Sequence, residues 1–345
     1  MSATRQQLFT WIERNQPFAI ATVIRVEGSA PRAPGSTLLV SSSGEQFVGS
    51  VSAGCLDNEV INAATEVLAS KHHRILRFGP EGTPPWQDGL SCGGNLEVRI
   101  DPWFTFNPRP AIQKLAEQTH SWLRTRSNAA ILSRGEHHLG FDLTGIIEGD
   151  RDAFSSEELQ RARTHLSNDA SSTLDATGPL FFIRTLLRPQ RLFLVGAVDT
   201  TAHLVTFAQD YGFECIVIDP RRHYTSTDRF PVAPDRIINS WPDDFSGFNP
   251  NHRDAALVLT HDPKIDDMAL LALLKTNVGY IGALGSQRSH AVRLERLIRQ
   301  GASTSDLQRI EGPAGVRLGV SNAAGIALGM IAGAVRSLAA RGVTA

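Results

Sequence analysis

The sequence predicts an α/β protein in two parts: an N-terminal α+β domain over 1–187 and a doubly wound parallel-sheet domain over 188–345. Three observations carry this. From Arg191 onward, apolar β-branched runs alternate with helical periodicities, the pattern of a parallel sheet covered by helices on both faces. Before Leu187 short apolar runs are separated by Gly-, Pro- and Ser-rich turns, with helices interspersed irregularly. The length of 345 residues exceeds what one core usually serves.

In the first part, Gln6 to Glu13 reads as a short helix and Phe18 to Val26 as a strand. Gly28 to Gly35, with Pro31 and Pro34, is a stiff loop. Leu38 to Val40 and Phe47 to Val51 form a hairpin around Ser42-Ser43-Gly44. Val60, Ile61, Ala64, Val67 and Leu68 place a helix over Leu56 to Ala69. Arg74 to Phe78 and Leu96 to Ile100 are strands, with a proline-rich loop between them. Ala111 to Arg124 is an amphipathic helix, Ala129 to Leu132 a strand and Ser156 to Leu166 a helix. Asn168 to Thr177 reads as a surface loop, and Leu180 to Leu187 as the strand that closes the domain. No internal repeat is visible in the sequence.

In the second part, the expected strands are Leu192 to Val195, Glu214 to Asp219, Arg236 to Asn239, Ala255 to Thr260 and Tyr280 to Ala283. The expected helices are Thr201 to Tyr211, Lys264 to Lys275 and His290 to Gln300. Leu318 to Val335 is free of charge, but Ser321, Asn322 and many Ala and Gly make it a buried soluble helix and not a span. Gly325, Gly329 and Gly333 give that helix one smooth face.

Composition narrows the function. A net charge of −1 gives no electrostatic case for nucleic acid. Met1 to Arg14 carries charges and no long apolar core, so it does not read as a secretory signal. The three cysteines point to a reduced cytoplasm.

Two of those cysteines lie in glycine turns, Ala53-Gly54-Cys55 and Cys92-Gly93-Gly94. Glycine admits a close approach, and a thiolate is a soft ligand and a nucleophile. Cys55 precedes a helix, whose free N–H groups favour an anion; a small residue at a strand-to-helix turn is the equally weighted alternative. Two ligands are too few for zinc. Cys215 reads as a buried strand residue. Arg32, between two prolines, is a pre-fixed guanidinium suited to a phosphate or a planar polar ring.

The second part is Rossmann-like. Gly196 is the first glycine of a dinucleotide turn, but Val198 stands where the second should let a pyrophosphate approach, which argues against NAD(P). Asp219 lies where a ribose-binding acid is expected. His261 and Asp262 in one loop, and Ser286 in another, should face the same crevice, with His261 a candidate acid–base group.

Together these motifs resemble the XdhC/CoxI family of molybdenum hydroxylase maturation factors. Gly28-Ser29-Ala30-Pro31-Arg32, Gly49 to Cys55 and Cys92-Gly93-Gly94 are similar to its first domain. Arg229-Phe230-Pro231, Thr260-His261-Asp262 and Tyr280 to Ser286 are similar to its Rossmann domain. The resemblance implies a homo-oligomeric chaperone that binds the molybdenum cofactor, as molybdopterin or its cytosine dinucleotide form. It implies that the chaperone shields the cofactor, supports its sulfuration with a cysteine desulfurase and delivers it to an apo molybdenum hydroxylase. Cys55 and Cys92 then become candidate molybdenum contacts, with Arg32, Gly54, Gly93 and Gly94 beside them. Gly196, Asp219, His261, Asp262 and Ser286 are the candidates of the second domain.

The chain departs from the family pattern at Ala53, at Val198 and in lacking a Thr-Pro-Glu-Glu stretch before the last helix. A nicotinamide-dependent oxidoreductase, with Asp219 on ribose and His261 as acid–base, is one competing reading. A non-catalytic scaffold for hydroxylase assembly is another.

Overall fold

The computed structural model describes residues 3–79, 94–103, 109–170, 172–177 and 180–343. The chain divides into two compact units, Ser2–Arg188 and Pro189–Ala345.

The first unit runs α1 (Ala3–Glu13), β1 (Phe18–Glu27), β2 (Thr37–Ser41), β3 (Phe47–Gly49), α2 (Asp57–Ser70), β4 (Arg74–Phe78) and β5 (Asn95–Pro102). It continues with α3 (Pro110–Thr125), β6 (Ala129–Arg134), β7 (His137–Asp142), β8 (Ile147–Gly149), α4 (Ser156–Ser167), β9 (Thr173–Asp175) and β10 (Phe181–Leu186). The strands pair into two antiparallel sheets, ordered β3-β2-β1-β5-β4 and β8-β7-β6-β10-β9. These are one topology written twice, each copy being a helix, three strands, a helix and two strands. Gly49 and Gly149 both end the third strand at positive φ. A side chain on either would collide with a carbonyl of the neighbouring strand, Thr37 in one case and His138 in the other. The unit is therefore a structural repeat that residue identities do not reveal.

Period-two alternation gives each sheet two apolar faces. One face of the first sheet packs Ala19, Ala21, Leu38 and Val98 under Val60, Ala64 and Val67 of α2. One face of the second packs Leu132, Phe141 and Ile183 under Leu159 and Leu166 of α4. Between the sheets Phe18, Ile20 and Leu39 meet Ala129, Ile131 and Leu186, joined by Trp11 of α1 and Trp122 of α3. α4 starts at Ser156, as its sequence signal suggested. Ser155 is the cap, accepting from Glu158 N–H at 3.2 Å while the Glu158 carboxylate accepts from Ser155 N–H at 2.8 Å.

β7, β8 and β9 were not expected. β7 contains paired histidines and a glycine, and β8 and β9 are three residues each. β9 lies within the segment read as a surface loop. It exists because Thr173, Leu174 and Asp175 pair with Ile183, Phe182 and Phe181 of β10, a partner that local propensity does not report.

The second unit contains β11 (Arg191–Val195), α5 (Asp199–Tyr211), β12 (Glu214–Ile218), β13 (Arg236–Ile238), β14 (Ala255–Val258), α6 (Pro263–Leu274), β15 (Tyr280–Ala283), α7 (Gln287–Arg299), α8 (Thr304–Leu307), β16 (Ile310–Glu311) and α9 (Ala323–Ala339). Its sheet is parallel throughout, in the order β13-β12-β11-β14-β15-β16. This is the Rossmann order. α5 and α9 cover one face, with Leu204, Val205, Ala208, Met330 and Leu338 in the core. α6 and α7 cover the other, through Ile265, Leu270, Leu273 and Leu297. The glycine stripe of α9 packs as its spacing suggested, against the chain at Gly315 to Val320. Val316 N–H even reaches the Gly329 carbonyl, at 2.8 Å. Among the described residues, no helix is long and apolar enough to cross a membrane.

Candidate functional site

Strand direction brings the first unit's motifs together. β1 leaves the first sheet at Glu27, β2 enters at Thr37, β3 leaves at Gly49, β4 leaves at Phe78 and β5 enters at Asn95. All five of these termini lie at one end of one sheet. The loop Gly28 to Ser36, the turn Ser50 to Leu56 and the strand ends at Phe78 and Asn95 therefore lie side by side. Cys92 and Gly93 lie outside the described residues. Gly94, next to them in the chain, is packed against the first loop: a Cβ there would collide with the Ser29 carbonyl and meet Glu27 O at 2.8 Å.

The base of the first loop is pinned. Gly35 N–H donates to Val23 O at 2.8 Å and Val23 N–H to Ser36 O at 2.9 Å. Its apex is open, and Arg32 there is exposed. Among the described residues the Arg32 guanidinium has no hydrogen-bond or ion-pair partner.

The sequence leaves two equally weighted readings of the Cys55 turn, an anion at the helix start being one. Asp57 takes the N–H groups of the turn that precedes the helix, and the helix start itself has no side-chain cap. One Asp57 oxygen accepts from Val51 N–H (3.1 Å), Ser52 N–H (3.1 Å) and Ser52 Oγ (2.8 Å), and the other from Gly54 N–H (3.1 Å). Ala53 N–H donates to Ser50 Oγ at 2.7 Å and Leu56 N–H to Ser52 Oγ at 2.8 Å. The turn is an internal carboxylate clamp, and what it presents outward is the exposed Cys55 thiol. Ala53 holds φ 57° and Gly54 φ 106°, which explains why glycine suits both places. An acid two residues beyond the cysteine was the available signal for the clamp.

Cys215 is buried with its sulfur 3.9 Å from Val205 O, and burial pushes its thiol up, as befits a strand residue without a reaction.

In the Rossmann unit the strand ends form the expected crevice. Gly196 has φ 106°, and a Cβ there would meet Thr260 Cγ2 at 2.5 Å, so the β11 and β14 ends touch. The dinucleotide machinery is occupied internally. Thr201 Oγ1 donates to Gly196 O at 2.5 Å and accepts from Val198 N–H at 3.1 Å, which closes the turn where Val198 stands. Asp219 is fully buried and accepts from Ala197 N–H (2.8 Å), Arg221 N–H (2.9 Å) and the Arg221 guanidinium (2.9 and 2.7 Å). Burial alone would raise this carboxyl, but the bonds from Arg221 and Ala197 outweigh it and hold it below the usual range. Asp219 thus fixes Arg221, whose guanidinium lies 4.1 Å from the Tyr224 ring centroid. Arg229 ties the same corner, donating to Ala197 O at 2.9 Å and Asp199 Oδ1 at 3.1 Å.

Asp262 caps α6, accepting from Lys264 N–H at 3.0 Å, and His261 is exposed at φ 62°. Ser286 caps α7, accepting from Ser289 N–H at 3.1 Å. Asp266 and Arg293, both buried, were not singled out from the sequence. Asp266 accepts from Thr260 Oγ1 at 2.6 Å and lies 3.7 Å from the Arg293 guanidinium. Burial raises the Asp266 carboxyl and lowers the Arg293 guanidinium, each only partly offset by the other's charge.

Residues 11–79 match the family described as "XdhC and CoxI family", and residues 192–333 match "XdhC Rossmann domain". The chain belongs to the XdhC/CoxI family. Two curated relatives extend the match over nearly the whole chain. It is 28% identical to a probable xanthine dehydrogenase subunit of Bacillus subtilis, over 93% of each chain. It is 22% identical to the Escherichia coli "Molybdenum cofactor insertion chaperone PaoD", over 91% of this chain and 81% of that one. The crystal structure of a xanthine dehydrogenase from Bacillus halodurans shares the fold at a TM-score of 0.78 and 23% identity. That match covers 98% of this chain and 96% of the other.

Proposed function

We propose that this protein is a maturation factor that binds the molybdenum cofactor as cargo and inserts it into an apo molybdenum hydroxylase. The observation that carries this reading is that the Gly28 to Ser36 loop, the Ser50 to Leu56 turn and the strand ends at Phe78 and Asn95 lie at one end of the first sheet, with an exposed thiol on the turn and, among the described residues, an arginine without a partner on the loop. The name of the Escherichia coli relative supports it. A soft sulfur suits molybdenum, and an unpaired guanidinium suits the anionic group of a pterin ligand. Cys55 and Arg32 are the proposed contacts, with Gly54 and Gly94 keeping the backbone low beside them. Cys92 and Gly93 join them through their place in the chain next to Gly94.

Gly196, Asp219 and Asp262 are committed to internal contacts. The cargo is therefore assigned to the first unit and not to a nicotinamide-type crevice. On this reading the protein shields the cofactor during sulfuration by a cysteine desulfurase, acts as a homo-oligomer in the cytoplasm and carries out no turnover of its own.

The test is to purify the protein from cells that make the cofactor and to measure oxidised pterin by fluorescence. A Cys55→Ala/Cys92→Ala double variant should retain about a tenth or less of the wild-type pterin. Equal pterin in both proteins would sink the proposal.

A further inference from the structure

We propose that the Rossmann unit binds a phosphate group at the amino terminus of α7, above the buried Arg293 guanidinium, and not at the glycine turn before α5. This goes beyond the cargo site of the first sheet and does not depend on it.

The thirteen-residue α7 starts at the carboxyl end of β15, where ligands of open α/β sheets bind. Its cap is closed within itself by Ser286 and Ser289. Among the described residues the N–H groups of Gln287 and Arg288 have no acceptor, and both residues are exposed.

A second, independent observation lies beneath this turn. The Arg293 side chain runs back toward the helix start. There one guanidinium nitrogen donates to Leu284 O at 2.8 Å. Arg293 is 3% exposed, yet its Nε and Nη1 have no partner among the described residues. The nearest carboxylate, Asp266, is 3.7 Å away, outside hydrogen-bond range. Asp266 offsets part of this charge as an ion pair, but two donors of the buried guanidinium stay unused below the open helix start, a place an anion would complete. Gly285, at φ 143°, lets the cap close tightly, since a Cβ there would meet Ser289 Oγ at 2.7 Å, and it lies against the Arg293 guanidinium, 3.7 Å from that Cβ position.

The other helix starts in this crevice repel an anion. α5 carries the exposed Asp199 in its first turn, and α6 carries Asp262 at its cap. α7 has no acid in its first turn and adds Arg288. The ligand is thus a phosphate monoester or free phosphate.

The experiment follows the backbone amides of the isotope-labelled full-length protein by NMR during titration with inorganic phosphate, AMP, CMP and cytidine. Saturable shifts centred on Gln287 and Arg288 are expected with the phosphates and not with cytidine. Tighter binding of AMP or CMP than of inorganic phosphate assigns the site to a nucleotide, and equal binding assigns it to free phosphate. Ser286→Asp preserves the cap, because aspartate caps as well as serine, but puts a carboxylate in the site. It should weaken phosphate at least about tenfold. Arg293→Met should do the same in a protein shown by its melting curve to be folded; if it does not fold, Ser286→Asp decides alone. Asp199→Ala should change nothing. The proposal is overturned by shifts centred on Ala197 to Thr200, by wild-type binding in Ser286→Asp, or by no saturation up to about 10 mM phosphate.

Discussion

The two halves of the first unit share a strand order but not their loops. In the first half, β1 and β2 are joined by Gly28 to Ser36 and β4 and β5 by Gly79 to Gly94. In the second, the matching connections are Gly135-Glu136 and Ala176 to Leu180. The second half joins the matching strands with two and five residues. The first spends long, glycine- and proline-marked loops at the same places, and these hold Arg32 and the Cys92 turn. Long loops are tolerated cheaply by a rigid sheet, and function concentrates there. Only the first half matches the XdhC and CoxI description. In the proposed function one copy acts as the site and the other as its support.

The largest expected effect comes from taking away what the first half has and the second lacks. Replacing the apex Ser29 to Ala33, Arg32 included, by a glycine-serine stretch of the same length, which removes its side chains while still spanning from Glu27 to Thr37, should leave a folded protein that has lost more than about tenfold in cofactor binding. Retained pterin in such a variant would break the comparison.

Next comes Gly94→Val set against Gly145→Val. The first forces a side chain into the Ser29 and Glu27 carbonyls, whereas Gly145 has open space around it and a φ of 108°. Urea unfolding should show a loss of about 3 kcal/mol or more for Gly94→Val, and about 1 kcal/mol, from backbone strain alone, for Gly145→Val.

The third concerns what the halves bury between them. His138 stands where the first half has Thr37. It lies near Arg99 and Asp101 and is hydrogen-bonded to Ser133 Oγ at 2.9 Å. Burial, assisted by the Arg99 charge and opposed by Asp101, lowers it to about 4. An unfolded histidine titrates near 6.5. As pH falls from about 6.5 to about 4 the unfolded chain takes up the proton and the folded one does not, so stability drops. Above that window the imidazole is neutral in both states and costs nothing. The loss is up to about 3 kcal/mol. His138→Leu should remove that share of the pH dependence in urea unfolding measured at pH 7 and pH 4. Identical pH profiles for the two proteins would show that His138 is not the group responsible.

The smallest effect is local. Ala53→Gly relieves a left-handed alanine and should raise stability by about 1 kcal/mol, while Cys55 reactivity toward a thiol reagent stays unchanged. A loss of stability would mean that the alanine is compensated elsewhere.

The Rossmann half was legible because a buried parallel sheet leaves continuous β-branched runs at regular spacing, and the 192–195, 214–218 and 280–283 strands follow those runs directly. The loops around Cys55 and Arg32 were legible for a related reason: glycine and proline declare their backbone demands in the chain itself. The roles of individual polar groups were not legible. Asp57 looked like a neighbour of a thiol and proved to be the clamp of its turn. Asp219 looked like a ribose ligand and proved to anchor Arg221. Hydrogen-bond partners of this kind depend on approach within about 3 Å of a particular atom, which spacing along a chain does not encode.

The sequence by itself therefore determined the two-part architecture, the parallel order of strands and helices, and the glycine-flanked cysteines, because periodicity and backbone permission are local properties. Tertiary structure alone decided that the first unit is one motif used twice, that strand ends far apart in the chain meet at the same end of one sheet, and that Arg293 lies buried beside Asp266 with two donors unused under α7. Those are facts of strand pairing and close packing between residues far apart in the chain, and no local pattern carries them.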